Sequence, residues 1–111
     1  MLPKRITREA KPGTVKRVRS PGHLAWVRSH ACCVPGCGGM PIEVAHVRSG
    51  TDGGMGMKPG DEWTISLCAL HHREQHQMHE FRFERRYGIN MKALAAEFAA
   101  KSPHKAKWSK R

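Results

Sequence analysis

The chain is short of the residues that build a hydrophobic core: 5 Leu, 4 Ile, 6 Val and 3 Phe make 18 of 111 residues. A charged chain with less than roughly 20% of these residues is expected to stay disordered unless something else holds it. Ordering costs about 1.5 kcal/mol per residue in conformational entropy, which so thin a core does not comfortably offset. No continuous apolar run approaches the ~18 residues of a membrane span, which argues against a membrane-spanning protein. The first 20 residues are basic and lack the apolar stretch of a secretory leader, so the cytoplasm is the expected compartment. Acidic residues are also few, 9 against 20 Lys and Arg, leaving a formal charge of +11. The length fits one small domain and argues against a large multidomain enzyme or a dinucleotide-binding domain.

What is present is charge at the two ends and a supply of metal-ligating side chains. Residues 1–20 hold seven bases against Glu9, and residues 101–111 hold five bases and no acid. Residues 21–100 balance, with 8 basic and 8 acidic residues. The two ends read as flexible basic arms on a neutral body. Such arms suit a polyanion, because each Lys or Arg that neutralises a phosphate releases counterions. Neither arm has an apolar helical face, which argues against a membrane surface.

The body reads as α+β. His23–Ser29 follows the Pro21–Gly22 break as a short helix, with Leu24 and Val27 on its buried face. A tight turn region follows at residues 31–39. Ile42–Val47 alternates and is β-branched, so a strand is expected there. Residues 48–60 include five glycines and read as a long loop. A second strand is expected over Trp63–Leu67, then a helix from Ala69 to Met78 that continues through Phe81–Tyr87 to Gly88. Met91–Lys101 reads as an Ala-rich helix capped by Asn90 and ended at Ser102–Pro103. The aromatics Trp26, Trp63, Phe81, Phe83, Tyr87 and Phe98 are expected in the core, with at most one of Phe81 and Phe83 facing inward.

Two strands alone are marginal in water, and the four cysteines and eight histidines offer a staple. A reducing compartment favours thiols as metal ligands over disulfides. Tetrahedral zinc takes four N or S ligands, usually as two closely spaced pairs. Cys37 pairs with Cys32 or Cys33; Cys68 pairs with His71. Of the two adjacent thiols, Cys32 is preferred, because it leaves room for the turn at Pro35–Gly36. A structural zinc can contribute about 10–16 kcal/mol of apparent folding free energy, the scale this core lacks. Separately, His72 and His76 stand at i and i+4, on one helical face. Two imidazoles there can share one metal ion and leave open positions; the plain alternative is two solvated surface histidines. His46 stands near the end of the first strand, and its ordinary pKa near 6.5 suits a general base.

Taken together, Cys32-Cys33-Val34-Pro35-Gly36-Cys37, Ile42-Glu43-Val44-Ala45-His46-Val47, Gly53-Gly54 and Leu67-Cys68-Ala69-Leu70-His71-His72 resemble the HNH family of ββα-metal (His-Me finger) endonucleases. The run from Ala45 to His76 resembles phage and prophage HNH proteins of the Ref (recombination enhancement function) type. The resemblance spans residues 22–100 and implies a zinc-stapled ββα-metal finger with flanking helices: arm 1–20, domain 21–100, tail 101–111. It implies that His46 activates water, and that His72 and His76 hold a catalytic divalent ion. It assigns Cys32 (or Cys33), Cys37, Cys68 and His71 to the structural Zn2+, and sets Asp61 roughly where the family's middle Asn braces the loop. Mg2+ is the expected catalytic ion; Zn2+, Mn2+, Ni2+ and Co2+ also suit the imidazole pair. Arg48, Lys58 and Arg73 lie near the site in sequence and are candidates for the DNA backbone. DNA is the expected partner, with a recombinase filament as a further one.

One departure stands out. Many relatives have Asp or His just before the base, as a third ligand, whereas this chain has Ala45. That keeps two other readings open beside the nuclease: a zinc-stabilised nucleic-acid-binding module without catalysis, and a zinc-knuckle domain whose arms bind an acidic protein.

Overall fold

A computed structural model describes residues 17–52 and 58–109. Residues 1–16, 53–57 and 110–111 lie outside it, and with them most of the N-terminal arm, Gly53, Gly54, Met55 and Met57. The described residues form an α+β unit with one two-stranded sheet and four α-helices.

Helix α1, Pro21–Arg28, starts where its sequence allows it. Proline at the first turn loses no hydrogen bond there, and the Ser20 hydroxyl accepts from the His23 N–H at 3.2 Å. Strands β1, Ile42–His46, and β2, Thr64–Cys68, pair antiparallel from Ile42 opposite Cys68 to His46 opposite Thr64. Every residue of β2 is buried, because α1, α2 and α4 all pack on it. Its two hydroxyls are satisfied: Thr64 donates to the Asp61 carbonyl at 2.8 Å and Ser66 to that of Ala31 at 2.7 Å. Helix α2, Ala69–Gln77, follows β2 with no loop at all, so the hairpin and the histidine helix are joined rigidly.

The expected continuous helix to Gly88 is interrupted. Met78 is extended, and α3, Glu80–Tyr87, starts anew. The break lets Phe83 turn into the core, fully buried, while Phe81 stays 64% exposed; of the other aromatics expected inside, Trp26, Trp63, Tyr87 and Phe98 are half-buried. Gly88 ends α3 with φ +67, a left-handed conformation that costs glycine little. Helix α4 spans Met91–Lys101, and the Asn90 side chain caps it by accepting from the Ala93 N–H at 3.0 Å.

The core joins Ala45 and Val47 to Ile65 and Leu67 from β2, Phe83, Met91 and Ala95 from the helices, and Cys32, Val34 and Cys68. In α1 the innermost residues are His23 and Val27, while Leu24 is only half-buried. The sequence gives no warning about His23. Its Nδ1 lies 2.8 Å from the Ser102 hydroxyl, and the Trp108 ring packs edge-on against it.

Parts of both expected arms are packed on the body. Val18 and Ser20 are buried. Arg17 donates to the Asp52 carbonyl and Arg19 to the Pro59 carbonyl, at 2.8 and 2.7 Å. At the other end Ser102 is buried, and a 3-10 turn, Lys105–Lys107, leads to Trp108.

Candidate metal centre and histidine site

The turn after α1 and the start of α2 bring four ligand atoms together. The Sγ atoms of Cys32, Cys37 and Cys68 and a ring nitrogen of His71 all lie within 4.8 Å of one another and could hold a metal ion. His71 Nδ1 stands 3.6, 3.5 and 3.2 Å from the three sulfurs, and Cys37 Sγ is 3.9 Å from Cys68 Sγ. Tetrahedral zinc, with bonds of ~2.3 Å to sulfur and ~2.05 Å to nitrogen, needs S···S edges of about 3.8 Å and S···N edges of about 3.6 Å. The donor set therefore fits.

The backbone is shaped to the same end. Gly36 has φ +74 in the turn that returns the chain to Cys37, whose N–H donates to the Val34 carbonyl at 3.0 Å. Gly39 passes so close that a Cβ there would sit 2.9 Å from Cys68 Sγ and 3.2 Å from Cys37 Sγ. Its N–H points at Cys37 Sγ, 3.3 Å away. Burial pushes the Cys32 thiol up to about 11. Burial acts upward on Cys68 too, but the N–H of His71 at the start of α2 and the neighbouring thiols outweigh it and bring Cys68 below the ordinary thiol range. Of the two adjacent cysteines, Cys32 joins the cluster. Cys33 faces away, its sulfur 3.5 Å from the Ser66 hydroxyl.

The second group lies one residue further along α2. His72 Nε2 and His76 Nε2 are 3.0 Å apart, close to the ~2.9 Å that adjacent ligands about 2.05 Å from one ion would show in an octahedral shell. The far nitrogen of His72, Nδ1, meets Glu43 Oε1 at 2.7 Å. A carboxylate so placed fixes the tautomer and aims the other nitrogen outward. Sequence reading missed Glu43, because a strand glutamate beside a hairpin reads as an ordinary solvent-facing residue. The signal was its place two residues before Ala45, on the same face of β1.

His46 ends β1. Its Nε2 lies 3.0 Å from Asp61 Oδ1. The carboxylate can only accept, so Nε2 carries the hydrogen and Nδ1 the lone pair. Burial lowers the His46 pKa below its ordinary value; the Asp61 hydrogen bond opposes this, and the charges of Lys58 and Arg19 add to the lowering. Asp61 is itself buried, which acts upward, but the His46 hydrogen bond and the Ser20 N–H, 2.7 Å from Oδ2, hold its carboxyl below the usual range. The residue thus grips the imidazole directly as well as tying down the segment before α1.

Gln75 relates the groups. It lies three residues after His72, one turn along α2, and its amide donates to the His46 carbonyl at 3.1 Å. Helix α2 therefore meets the His46 end of β1 through Gln75. Strand alternation sends the His46 ring and the Glu43 carboxylate to opposite sides of β1. Arg48, Lys58 and Arg73 are all exposed, and the charge of Lys58 is felt at His46.

A small α+β unit with a Cys3His cluster able to hold a metal ion is the class these features define. The chain belongs to the DUF968 family, described as a protein of unknown function, which residues 9–102 match. An uncharacterized protein of Escherichia coli (strain K12), YdfU, is 36% identical over 73 residues, covering 65% of this chain and 20% of the relative. The chain thus spans one fifth of the length of the curated relative it matches. No solved structure matches it. Among the described residues no helix is long and apolar enough to cross a membrane.

Proposed function

We propose that this chain is an HNH-type nuclease domain that hydrolyses DNA phosphodiester bonds, with a structural Zn2+ on Cys32, Cys37, Cys68 and His71. The observation that carries the reading is the His46–Asp61 pair at the end of β1 that Gln75 links to α2, where two imidazoles converge 3.0 Å apart.

On this reading His46 Nδ1 takes the proton from the attacking water, and Asp61 steadies the imidazolium that forms. His72 and His76 would hold a divalent ion, Mg2+ by expectation, which when bound supplies charge stabilisation at the phosphate. The His46 ring leaves β1 on the side opposite Glu43, so the phosphate must reach around the strand end to meet both groups. Glu43 keeps His72 aimed. Lys58, exposed and with its charge acting on His46, would meet a phosphate oxygen. A recombinase filament presenting the DNA belongs to the same proposal, on the Ref-type resemblance alone.

The test is nicking of supercoiled plasmid by the purified chain with Mg2+ or Mn2+. His46→Ala should lower the rate by about 10²–10⁴-fold while DNA binding persists. Unchanged nicking in that variant would defeat the assignment of the base. Ala45 lies fully buried in the core and offers no third ligand, which favours a second reading, a binding module without catalysis. Metal-independent DNA binding with no nicking under any ion would select it.

A further inference from the structure

The outer face of α3 carries a basic, aromatic surface that the reading above does not use. Phe81, Arg82, Arg85 and Arg86 stand at i, i+1, i+4 and i+5 and line one open groove of about 470 Å³. Phe81 is 64% exposed, unusual for a phenylalanine on a helix whose other ring residues, Phe83 and Tyr87, turn inward. The Arg85 guanidinium lies 5.7 Å from the centre of the Phe81 ring.

The charge on this face is one-sided for a local reason. Glu80 accepts from the N–H of Ser49 at 2.7 Å and of Arg48 at 3.0 Å. Glu84 accepts from the Met91 N–H at 2.6 Å. Glu74, on α2, is engaged by the Tyr87 hydroxyl at 2.7 Å and lies 4.0 Å from Arg86. The carboxylates of α3 are thus committed to backbone groups. Among the described residues none lies within 4.0 Å of Arg82 or Arg85. A body that is neutral by count presents here a cationic strip beside an exposed ring.

We propose that this face of α3 binds single-stranded nucleic acid, with an unpaired base stacked on Phe81 and flanking phosphates held by Arg82 and Arg85. A duplex hides the faces of its bases, so the ring can serve only a strand whose bases are unstacked. Glu80, at the first turn of α3, also accepts from Gln75 at 3.3 Å, and Gln75 donates to the His46 carbonyl. Helix α3 therefore starts one side chain away from the strand end that carries His46. Single-strand binding extends the nuclease reading by naming the form of the nucleic acid, but binding at α3 does not require cleavage.

The experiment is fluorescence anisotropy of labelled oligothymidylate, oligouridylate and a DNA duplex against the full chain, with zinc retained and no other divalent ion added. Phe81→Ala should weaken the single strands about tenfold and leave the duplex within twofold; Phe81→Trp should restore binding. Arg82→Gln with Arg85→Gln should flatten the single-strand salt slope by about 1.4, two contacts at ~0.7 each. The two single strands separate RNA from DNA as the preferred source. Equal loss for strand and duplex, no loss in Phe81→Ala, or no single-strand binding by the parent protein would each overturn the proposal. Because nothing is cleaved in this assay, a chain that binds here yet never nicks plasmid refutes the nuclease reading alone.

Discussion

His71 and His72 are neighbours on α2, yet they face unlike surroundings. His71 turns its Nδ1 to three sulfurs and packs edge-on against the Tyr87 ring, 4.9 Å between centres. His72 turns one nitrogen to a carboxylate and the other to a second imidazole. Successive helical positions diverge by about 100°, so a single helix start can serve both. The first group is closed, with four donors at tetrahedral spacing and no place for a substrate. The second offers two nitrogens and an open side. A closed set suits holding the fold; an open pair suits a ligand that comes and goes.

Changing each neighbour in turn is the strongest way to break this comparison. His71→Ala, or a strong chelator, should cost the fold itself. Zinc at such sites contributes about 10–16 kcal/mol, against a total domain stability of about 5–15 kcal/mol. The expected result is loss of the cooperative melting transition in circular dichroism. His72→Ala should keep that transition and lose metal-dependent nicking. If both variants melt like the parent, the cluster is not a staple.

Much of this division was legible in the sequence. The thiol pairs and the i, i+4 histidines are spacings, and spacing survives without coordinates. So did β1, β2 and the capped α4, whose signals are local. What escaped depends on packing between distant segments. His23 is buried because residues 102–108 fold back over α1, and the pattern around His23 cannot register that. Glu43 was overlooked because its partner lies 29 residues away on α2. The break at Met78 was hidden because residues 69–87 carry no Gly or Pro, and the separate start of α3 is set by Phe83 entering the core. Residues 17–20 read as arm from their charge, yet Arg17 and Arg19 spend their guanidinium groups on backbone carbonyls of the 52–59 segment.

A smaller effect sharpens the open half of the comparison. Glu43→Gln keeps a hydrogen-bond partner for His72 but removes the charge that, on the proposed reading, would make His72 a better ligand. Outer-sphere changes of this kind cost about 10–100-fold in metal affinity. Titration of the full chain with Mn2+, zinc already in place, should show that loss without any change in melting temperature. An unchanged Mn2+ affinity would mean that Glu43 only fills space beside α2.

His23 offers a third kind of histidine, neither ligand nor base. Burial first, and then the charge of His104, lowers its pKa to about 4, with Asp61 pulling weakly the other way. The folded state therefore keeps His23 neutral while the unfolded chain takes up a proton near pH 6.5. The stability it allows is complete above pH 6.5 and is lost as pH falls toward 4, on the order of 2–3 kcal/mol. His23→Asn retains a polar atom near Ser102 and does not titrate. The fall in melting temperature between pH 7 and pH 5 should be smaller in that variant than in the parent, both loaded with zinc. An identical fall would place the acid sensitivity elsewhere, the thiols being the first suspects.

The smallest expected effect tests the closed half at its least obvious point. Cys32 and Cys33 are adjacent, and either satisfies a two-pair spacing. The backbone decides between them: the Cys33 N–H donates to the Ser66 carbonyl at 2.9 Å, which anchors this residue along β2. Its side chain then lies beside the Ser66 hydroxyl and lines a cavity of about 310 Å³ with Trp26, Leu94 and Phe98. Cys33→Ser should leave one zinc per chain and change stability by less than ~1 kcal/mol, as an edge substitution that adds no buried charge should. Cys32→Ser removes a donor from the tetrahedron and should release the ion to a competing chelator. The reverse pattern would require the anchoring hydrogen bond to break and the turn at Pro35–Gly36 to close one residue tighter, moving Cys37 away from Cys68.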